Sequence, residues 1–251
     1  MLNTTKLERI IKKFGKDEAI KLDTNLESER LDFLMGMPEP SSGFAPRWIS
    51  FQNYTGTDLL AEMQGLDTSN LTSCANMFYN CKNITKADMS GWDLSNVTTM
   101  GSCFAQDTAL KEVVFPTTKS NKITSVAGMF SMCKGLTRLD LSNFEITGLR
   151  EISSCFRENT NLEYLNLSGW HGELTSVNYF LNWCSKLKFL DIRNLSFKKI
   201  TTDYTYTFNQ VPKDCLIIVK DDTEKTIVSG NLGATLTNVK TIAEYIAEGG
   251  E

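Results

Sequence analysis

The residue types that could carry out chemistry are few in this chain, which has seven cysteines and one histidine among 251 residues. Such side chains could hold zinc or pair a nucleophile with a base. However, no two cysteines form a Cys-x-x-Cys pair, and spacing assigns no nucleophile to His171 in the segment Gly169 to Gly172, where we expect a surface loop. Six of the cysteines instead recur at fixed positions of a repeat, so we expect the cysteines to pack as small apolar side chains. The sequence predicts no catalytic residue, no metal site and no cofactor, and therefore no enzyme.

A second set of side chains could bind a ligand, because aromatic and arginine residues recur at intervals of one repeat. This set comprises Arg138, Tyr164 and Phe189, each followed two residues later by an acidic or amide side chain, namely Asp140, Asn166 and Asp191. Aromatic and arginine side chains contribute much of the binding energy at protein interfaces. We expect the six residues to lie side by side on a sheet as ligand-binding candidates, unless a C-terminal cap or an N-terminal helix covers them.

These candidates are positioned by a repeat of about 26 residues. The repeat is anchored by large apolar residues at spacings of 26, 26, 26, 25 and 27: Phe78, Phe104, Phe130, Phe156, Leu181 and Phe208. Six residues after each of the first five anchors an L-x-x-L-x-L pattern begins, clearest at Leu136, Leu139 and Leu141. Successive side chains of a strand point to opposite faces, so the residues between the leucines point outward. Since one unit cannot cover its own apolar face, neighbouring units must stack. We predict an α/β solenoid, a leucine-rich-repeat array with one short parallel strand per repeat and a concave sheet surface.

The repeat resembles a known family. The segment 121–144 is its cleanest copy, and Ser69-Asn70-Leu71, Ser95-Asn96-Val97 and a recurring Met-Phe-x-x-Cys belong to the same pattern. In these motifs the chain resembles the BspA-like leucine-rich repeat family of bacterial surface proteins, which also occurs in phage genomes. The resemblance extends over about Asp58 to Val219. The stretch from Asp221 to Tyr245 resembles the way such arrays close, with a short helix and a last strand. The resemblance implies a non-catalytic protein that binds other proteins or cell surfaces.

A further aromatic series follows the strands at Trp92, Phe144 and Trp170, in register with Leu66 and Leu195. Two interpretations are open. The series could form a stripe on which sugars stack, or it could pack the turns at one edge of the sheet.

Residues 1–40 do not share the repeat. In this segment Leu7, Ile10, Ile11 and Phe14 fall at i, i+3, i+4 and i+7, the apolar stripe of a helix. We predict a small helical N-terminal segment that either caps the first repeat or anchors the protein to a partner through these four residues. It precedes an irregular first repeat at 41–65, the array at 66–219 and a C-terminal cap at 220–251.

The composition argues against two classes of partner. The net charge is −4 and no apolar run approaches the roughly 18–20 residues of a membrane span, so we expect neither nucleic acid nor a membrane span. The N-terminus lacks the apolar core of a secretory signal, so we expect synthesis in the cytoplasm, followed by virion association or release by lysis.

We predict a binding module of the adhesin or receptor-binding type that recognises a protein or a cell-surface glycan. The alternative is a structural virion component of a bacteriophage, such as a fibre, baseplate or capsid decoration protein, which residues 1–40 would anchor in a virion or a homo-oligomer.

Overall fold

A computed structural model describes residues 50–54, 56, 68–117, 119–201, 204, 206–230, 232 and 236–250. In these residues the chain winds into a parallel β-solenoid of about six turns. The strands are β1 (Lys86–Asp88), β2 (Glu112–Val114), β3 (Arg138–Asp140), β4 (Ile146–Glu151), β5 (Tyr164–Asn166), β6 (Trp170–Ser176), β7 (Phe189–Asp191), β8 (Leu195–Ser196), β9 (Leu216–Val219) and β10 (Val239–Thr241). They form three parallel sheets, ordered β1-β2, β10-β9-β7-β5-β3 and β4-β6-β8.

Helix is confined, within the described residues, to α1 (Asp222–Gly230) and α2 (Ile242–Ala247), both near the C-terminal end. The returns between strands are built from turns instead. The predicted solenoid with parallel strands is therefore confirmed in the form of a β-solenoid. Neither helix is long and apolar enough to cross a membrane.

One side of each coil is a run of tight turns around the anchor, which we call the turn face. In the coil of Phe78 the amides of Cys74, Asn76, Phe78 and Asn80 each donate to a carbonyl of the next coil. Of the amides between them, Met77 and Tyr79 donate to the carbonyl three residues earlier, and Ala75 donates to the Ser73 hydroxyl at 3.2 Å. Every second amide thus links neighbouring coils, so the turn face replaces a helical return without leaving these donors unpaired.

In the coils of the first five anchors the turn face has left-handed backbone at two positions, two residues before and two residues after the anchor. In the first complete coil these are Asn76 (φ 54°) and Asn80 (φ 62°). Asn53 (φ 65°) follows the same rule relative to Phe51, whose ring stacks on Phe78 at 5.9 Å. The repeat therefore extends one coil further towards the N-terminus than the anchors chosen from the sequence.

The core follows the predicted repeat. All six anchors are buried, and the rings of Phe78, Phe104, Phe130 and Phe156 stack along the solenoid axis with centroid separations of 5.1, 5.4 and 5.5 Å. Trp92, Phe144 and Trp170 are buried as well, so the packing interpretation of this series is confirmed and these rings offer no surface to a sugar.

The cysteines are buried and free, as the packing interpretation predicts. Three of them lie three residues after an anchor and donate their thiols to the carbonyl of the preceding anchor: Cys81 to Phe51 at 3.1 Å, Cys133 to Phe104 at 2.9 Å and Cys184 to Phe156 at 3.0 Å. Burial raises the pKa of Cys74 and of Cys215 to about 12, which keeps both thiols protonated at neutral pH.

The prediction that His171 lies in a surface loop is wrong, because His171 lies within β6. Gly169 and Gly172, which lie on either side of Trp170 and His171, led us to expect a turn here. The structure uses Gly172 for close approach, since a Cβ atom there would lie 2.1 Å from the Leu149 carbonyl oxygen of β4.

The C-terminal end of the third sheet is closed by a side chain. The buried carboxylate of Glu224 in α1 accepts hydrogen bonds from the Ser196 hydroxyl at 2.7 Å and from the Phe197 amide at 3.0 Å. It takes the place of the carbonyls that a further coil would supply to β8. At the other end of the chain, the predicted helical segment with Leu7, Ile10, Ile11 and Phe14 lies outside the described residues.

Candidate functional site

The ligand-binding candidates meet on one sheet. Arg138 of β3 pairs with Tyr164 of β5, which pairs with Phe189 of β7. In the same strands Asp140, Asn166 and Asp191 are register partners. The predicted adjacency is confirmed, and it arises because parallel strands of equal register repeat at the same level of successive coils. We call this surface the sheet face, and the binding role of its residues stays a prediction.

The first column of the sheet face is a continuous stack. The guanidinium carbon of Arg138 lies 3.4 Å from the centroid of the Tyr164 ring. The rings of Tyr164 and Phe189 are stacked and nearly parallel, with centroids 4.7 Å apart and an interplanar angle of 8°. Tyr245 of α2 then lies 6.3 Å from Phe189 with a tilt of 52°, and the guanidinium carbon of Arg193 is 5.9 Å from the Tyr245 ring. Five side chains therefore form one row in which every aromatic ring has a neighbour over its face.

Tyr245 is the member of this row that sequence reasoning missed. It lies outside the repeat, in the helix after the last strand, and no spacing rule connects it with Phe189. At this end of the row the C-terminal cap therefore covers part of Phe189, which is one of the two alternatives that the sequence left open. Tyr164 and Phe189 remain half-buried, and Arg138 remains exposed.

The second column has a structural role that was also missed. Carboxylate or amide oxygens of Asp140, Asn166 and Asp191 accept hydrogen bonds from the amides two residues later, at 3.1, 2.9 and 3.1 Å. This is the Asx-turn arrangement, which ends a strand. Asp140 and Asn166 are the last residues of their strands, and each begins an Asp-x-Ser or Asn-x-Ser triplet. This triplet is the sequence signal that could have indicated the turn.

The prediction that Asp191 faces solvent with the other candidates is wrong, since Asp191 is only 1% exposed. Its carboxylate is held by Arg193, whose Nη2 atom lies 2.6 Å from Oδ2 and whose Nε atom also donates to it. The hydrogen bond to Asp191 raises the pKa of Arg193. The ion pair neutralises both groups, so Asp191 positions Arg193 and is not available to a ligand.

The electrostatic surroundings of the row are mixed. Arg138 makes a long, exposed contact with Asp140 at 3.4 Å, which contributes little in water and leaves the guanidinium open to a partner. Further along the same face Lys86 and Glu112 pair at 2.7 Å. No group of three or more metal-ligating side chains occurs in the part of the chain that the structure describes. The site can offer aromatic contact area and one accessible positive charge.

Comparison with known proteins adds one family. The family model described as "Mycoplasma protein of unknown function, DUF285" matches residues 49–170 and 113–214, together about two thirds of the chain. None of the curated proteins matches the chain. None of the solved structures matches it either.

Proposed function

Because the chain belongs to the family described as "Mycoplasma protein of unknown function, DUF285", a family related to the BspA-like repeats whose description states no activity, we propose a function from the sheet face alone. The protein is a non-catalytic binding module of the adhesin or receptor-binding type, and the row Arg138, Tyr164 and Phe189 holds its partner. The finer classification as a BspA-like leucine-rich repeat is part of this proposal, supported by the L-x-x-L-x-L strands and the 26-residue anchors.

The observation that carries the proposal is the stacked aromatic row on an outer surface. Tyr164 and Phe189 are half-buried, so part of each ring remains in contact with water, which is unfavourable for apolar surface. Solvent-accessible apolar patches mark interaction sites in soluble proteins. Rigid aromatic and arginine side chains are also the residues whose truncation costs most at interfaces. The stack holds Arg138, Tyr164 and Phe189 in one geometry before a partner arrives, which lowers the entropic cost of binding.

The geometry of the row favours a protein partner over a glycan. A sugar ring stacks on the face of an aromatic ring, but Tyr164 is enclosed between Arg138 and Phe189, and Phe189 between Tyr164 and Tyr245. The row therefore presents ring edges and a guanidinium group. Ring edges carry partial positive charge, and the guanidinium carries a full positive charge. A peptide segment with carboxylate and carbonyl oxygens complements this surface.

The test is selection of peptides from a random dodecapeptide library displayed on phage, with the immobilised full chain as bait. Selected peptides are then titrated by fluorescence anisotropy against the wild type and against Tyr164→Thr and Phe189→Thr, in which threonine keeps the strand preference. We expect affinities reduced at least about tenfold in both variants.

Lys86→Ser is the matched control, because it lies on the same face and loses only a surface ion pair with Glu112. It should bind selected peptides with unchanged affinity. Peptides that bind Tyr164→Thr and Phe189→Thr as tightly as the wild type would contradict the proposed function.

A further inference from the structure

Exposed aromatic residues cluster at a second place, on the turn face of the last coils. Among the described residues the exposed large apolar side chains are Trp183, Tyr204, Tyr206 and Ile246. Trp183 lies two residues after the anchor Leu181, and Tyr206 two residues before the anchor Phe208. Tyr206 stacks on Tyr179 at 5.0 Å and 1°, and the guanidinium of Arg157 lies 5.5 Å from the Tyr179 ring. This cluster belongs to a side of the coil different from the sheet face.

Trp183 is the unusual member of the cluster. Its side chain is 51% exposed and its backbone has φ 67°, a left-handed conformation that costs a bulky residue free energy. In the first coil Asn80 occupies the same position with φ 62°, and asparagine tolerates that conformation. A small polar residue would therefore serve the fold better than tryptophan. Other coils hold long side chains at this position with left-handed backbone, namely Gln106, Met132, Glu158 and Gln210, so the fold accepts a long side chain here but does not require a ring. About half of the indole surface remains in contact with solvent.

The neighbours of Trp183 are polar side chains at the same level of the adjacent coils. The Glu158 amide donates to the Asn182 carbonyl, and the Trp183 amide donates in the same way to the Asn209 carbonyl. This ladder aligns Glu158, Trp183 and Gln210, which all have left-handed backbone at φ 60°, 67° and 67°. The position on one side of Trp183 therefore carries a carboxylate, which pairs with Arg157 at 2.8 Å, and the position on the other side carries an amide.

The aromatic face of Trp183 differs from those of the sheet face. Within the described residues its indole stacks on no other ring and on no guanidinium, whereas the rings of Tyr164 and Phe189 are enclosed. An open indole face is negative, and the C–H groups of a pyranose ring are weakly positive and apolar, so the two attract. Carboxylate and amide groups beside the ring supply acceptors and donors for sugar hydroxyls.

We propose that the turn face around Trp183, Glu158 and Gln210 is a carbohydrate-binding site, separate from the sheet face and additional to the proposed protein-binding function. The pyranose ring stacks on the indole of Trp183. Its hydroxyl groups donate to the Glu158 carboxylate and exchange hydrogen bonds with the Gln210 amide.

The test uses a printed array of oligosaccharides that terminate in hexoses, N-acetylhexosamines and sialic acids, probed with the labelled full chain. Glycans that bind are titrated by isothermal calorimetry against the wild type, Trp183→Asn and Trp183→Phe. We expect Trp183→Asn to weaken binding at least about tenfold, because the stacking surface is gone. Asparagine suits the backbone at this position, so the variant should melt at or above the wild-type temperature. Trp183→Phe keeps a ring and should retain most of the affinity.

Tyr164→Thr is the control that separates the two sites, and it should bind the same glycans as tightly as the wild type. Four results would overturn the inference: no glycan of the array binds the wild type, Trp183→Asn binds as the wild type does, Tyr164→Thr loses the glycan, or Trp183→Asn abolishes self-association without any glycan bound. The last result would mean that a second copy of the chain covers Trp183. A failure of peptide binding at the sheet face leaves all these outcomes unchanged.

Discussion

The carboxyl oxygen Oδ1 of Asp107 accepts a hydrogen bond of 2.6 Å from the backbone amide of Cys81, one coil earlier. Asp107 lies three residues after the anchor Phe104, at the level where Cys81, Cys133 and Cys184 place thiols in other coils. Burial raises the pKa of Asp107 to about 9, although its bond from the Cys81 amide opposes the rise. The side chain is therefore neutral at pH 7, as the thiols are at this level.

We predict that Asp107 makes stability depend on pH. Its pKa is about 9 in the folded chain and about 4 in an unfolded one, so the folded state binds more protons between these values. The contribution of Asp107 to stability is fully present below about pH 4 and is lost as the pH rises through about 9.

Asp107→Cys, which introduces the residue that other coils have at this position, should remove this dependence. Urea midpoints at pH 5, 6 and 7 measure it, because a thiol in the unfolded chain ionises only above this range. Asp140→Asn, an exposed position, should keep the wild-type slope, and an unchanged slope in Asp107→Cys would refute the assignment.

Phe130→Ala should destabilise the protein by about 3 to 5 kcal/mol, as truncation of large buried rings does. Phe130 is fully buried between the rings of Phe104 at 5.4 Å and Phe156 at 5.5 Å, so its loss leaves a cavity on the solenoid axis. Urea unfolding followed by circular dichroism gives the change in free energy. Phe189→Ala, which truncates a half-buried ring on the sheet face, should cost clearly less. Equal stabilities of the two variants would mean that the anchors do not carry the core.

Two serines on the turn face should respond in opposite directions to substitution by glycine. Ser102 has φ 52°, at the position where the next coil has Gly128, whereas Ser131 is not among the residues with positive φ. Ser102→Gly relieves a left-handed residue and should leave stability unchanged or raise it. Ser131→Gly only adds freedom to the unfolded chain and should cost about 0.5 to 1 kcal/mol. Thermal melts of both variants test the turn geometry, and a larger loss in Ser102→Gly than in Ser131→Gly would contradict it.

Glu224→Ala should expose the C-terminal end of the solenoid. Without the carboxylate, the Phe197 amide and the Ser196 hydroxyl lose their acceptor in a buried place, at a cost of about 1 to 3 kcal/mol. Glu224→Gln keeps one acceptor and should lose less. Asp222→Ala, an exposed neighbour in the first turn of α1, is the control. Thermal melts and size-exclusion chromatography distinguish the variants, and a Glu224→Ala protein that melts like Asp222→Ala would rule out the capping role.

Much of the candidate site could be predicted from the sequence because it follows the repeat. Arg138, Tyr164 and Phe189 occupy equivalent strand positions, so their adjacency requires only that coils stack in register. Tyr245 could not be predicted, because it reaches the row from a helix outside the repeat. The burial of Asp191 depends on Arg193, which occupies a position where other coils have serine, as at Ser142 and Ser168.

The sequence by itself determined the period, the anchors and the inward positions of each coil. It could do so because every coil meets the same surroundings, so burial repeats along the chain with the period of the coil. Only the tertiary structure decided that the returns are turns with left-handed residues such as Trp183, and that Tyr245 completes the row on the sheet face. The left-handed backbone is stabilised by amides that bond to the neighbouring coil, and such contacts depend on the path of the whole chain in space.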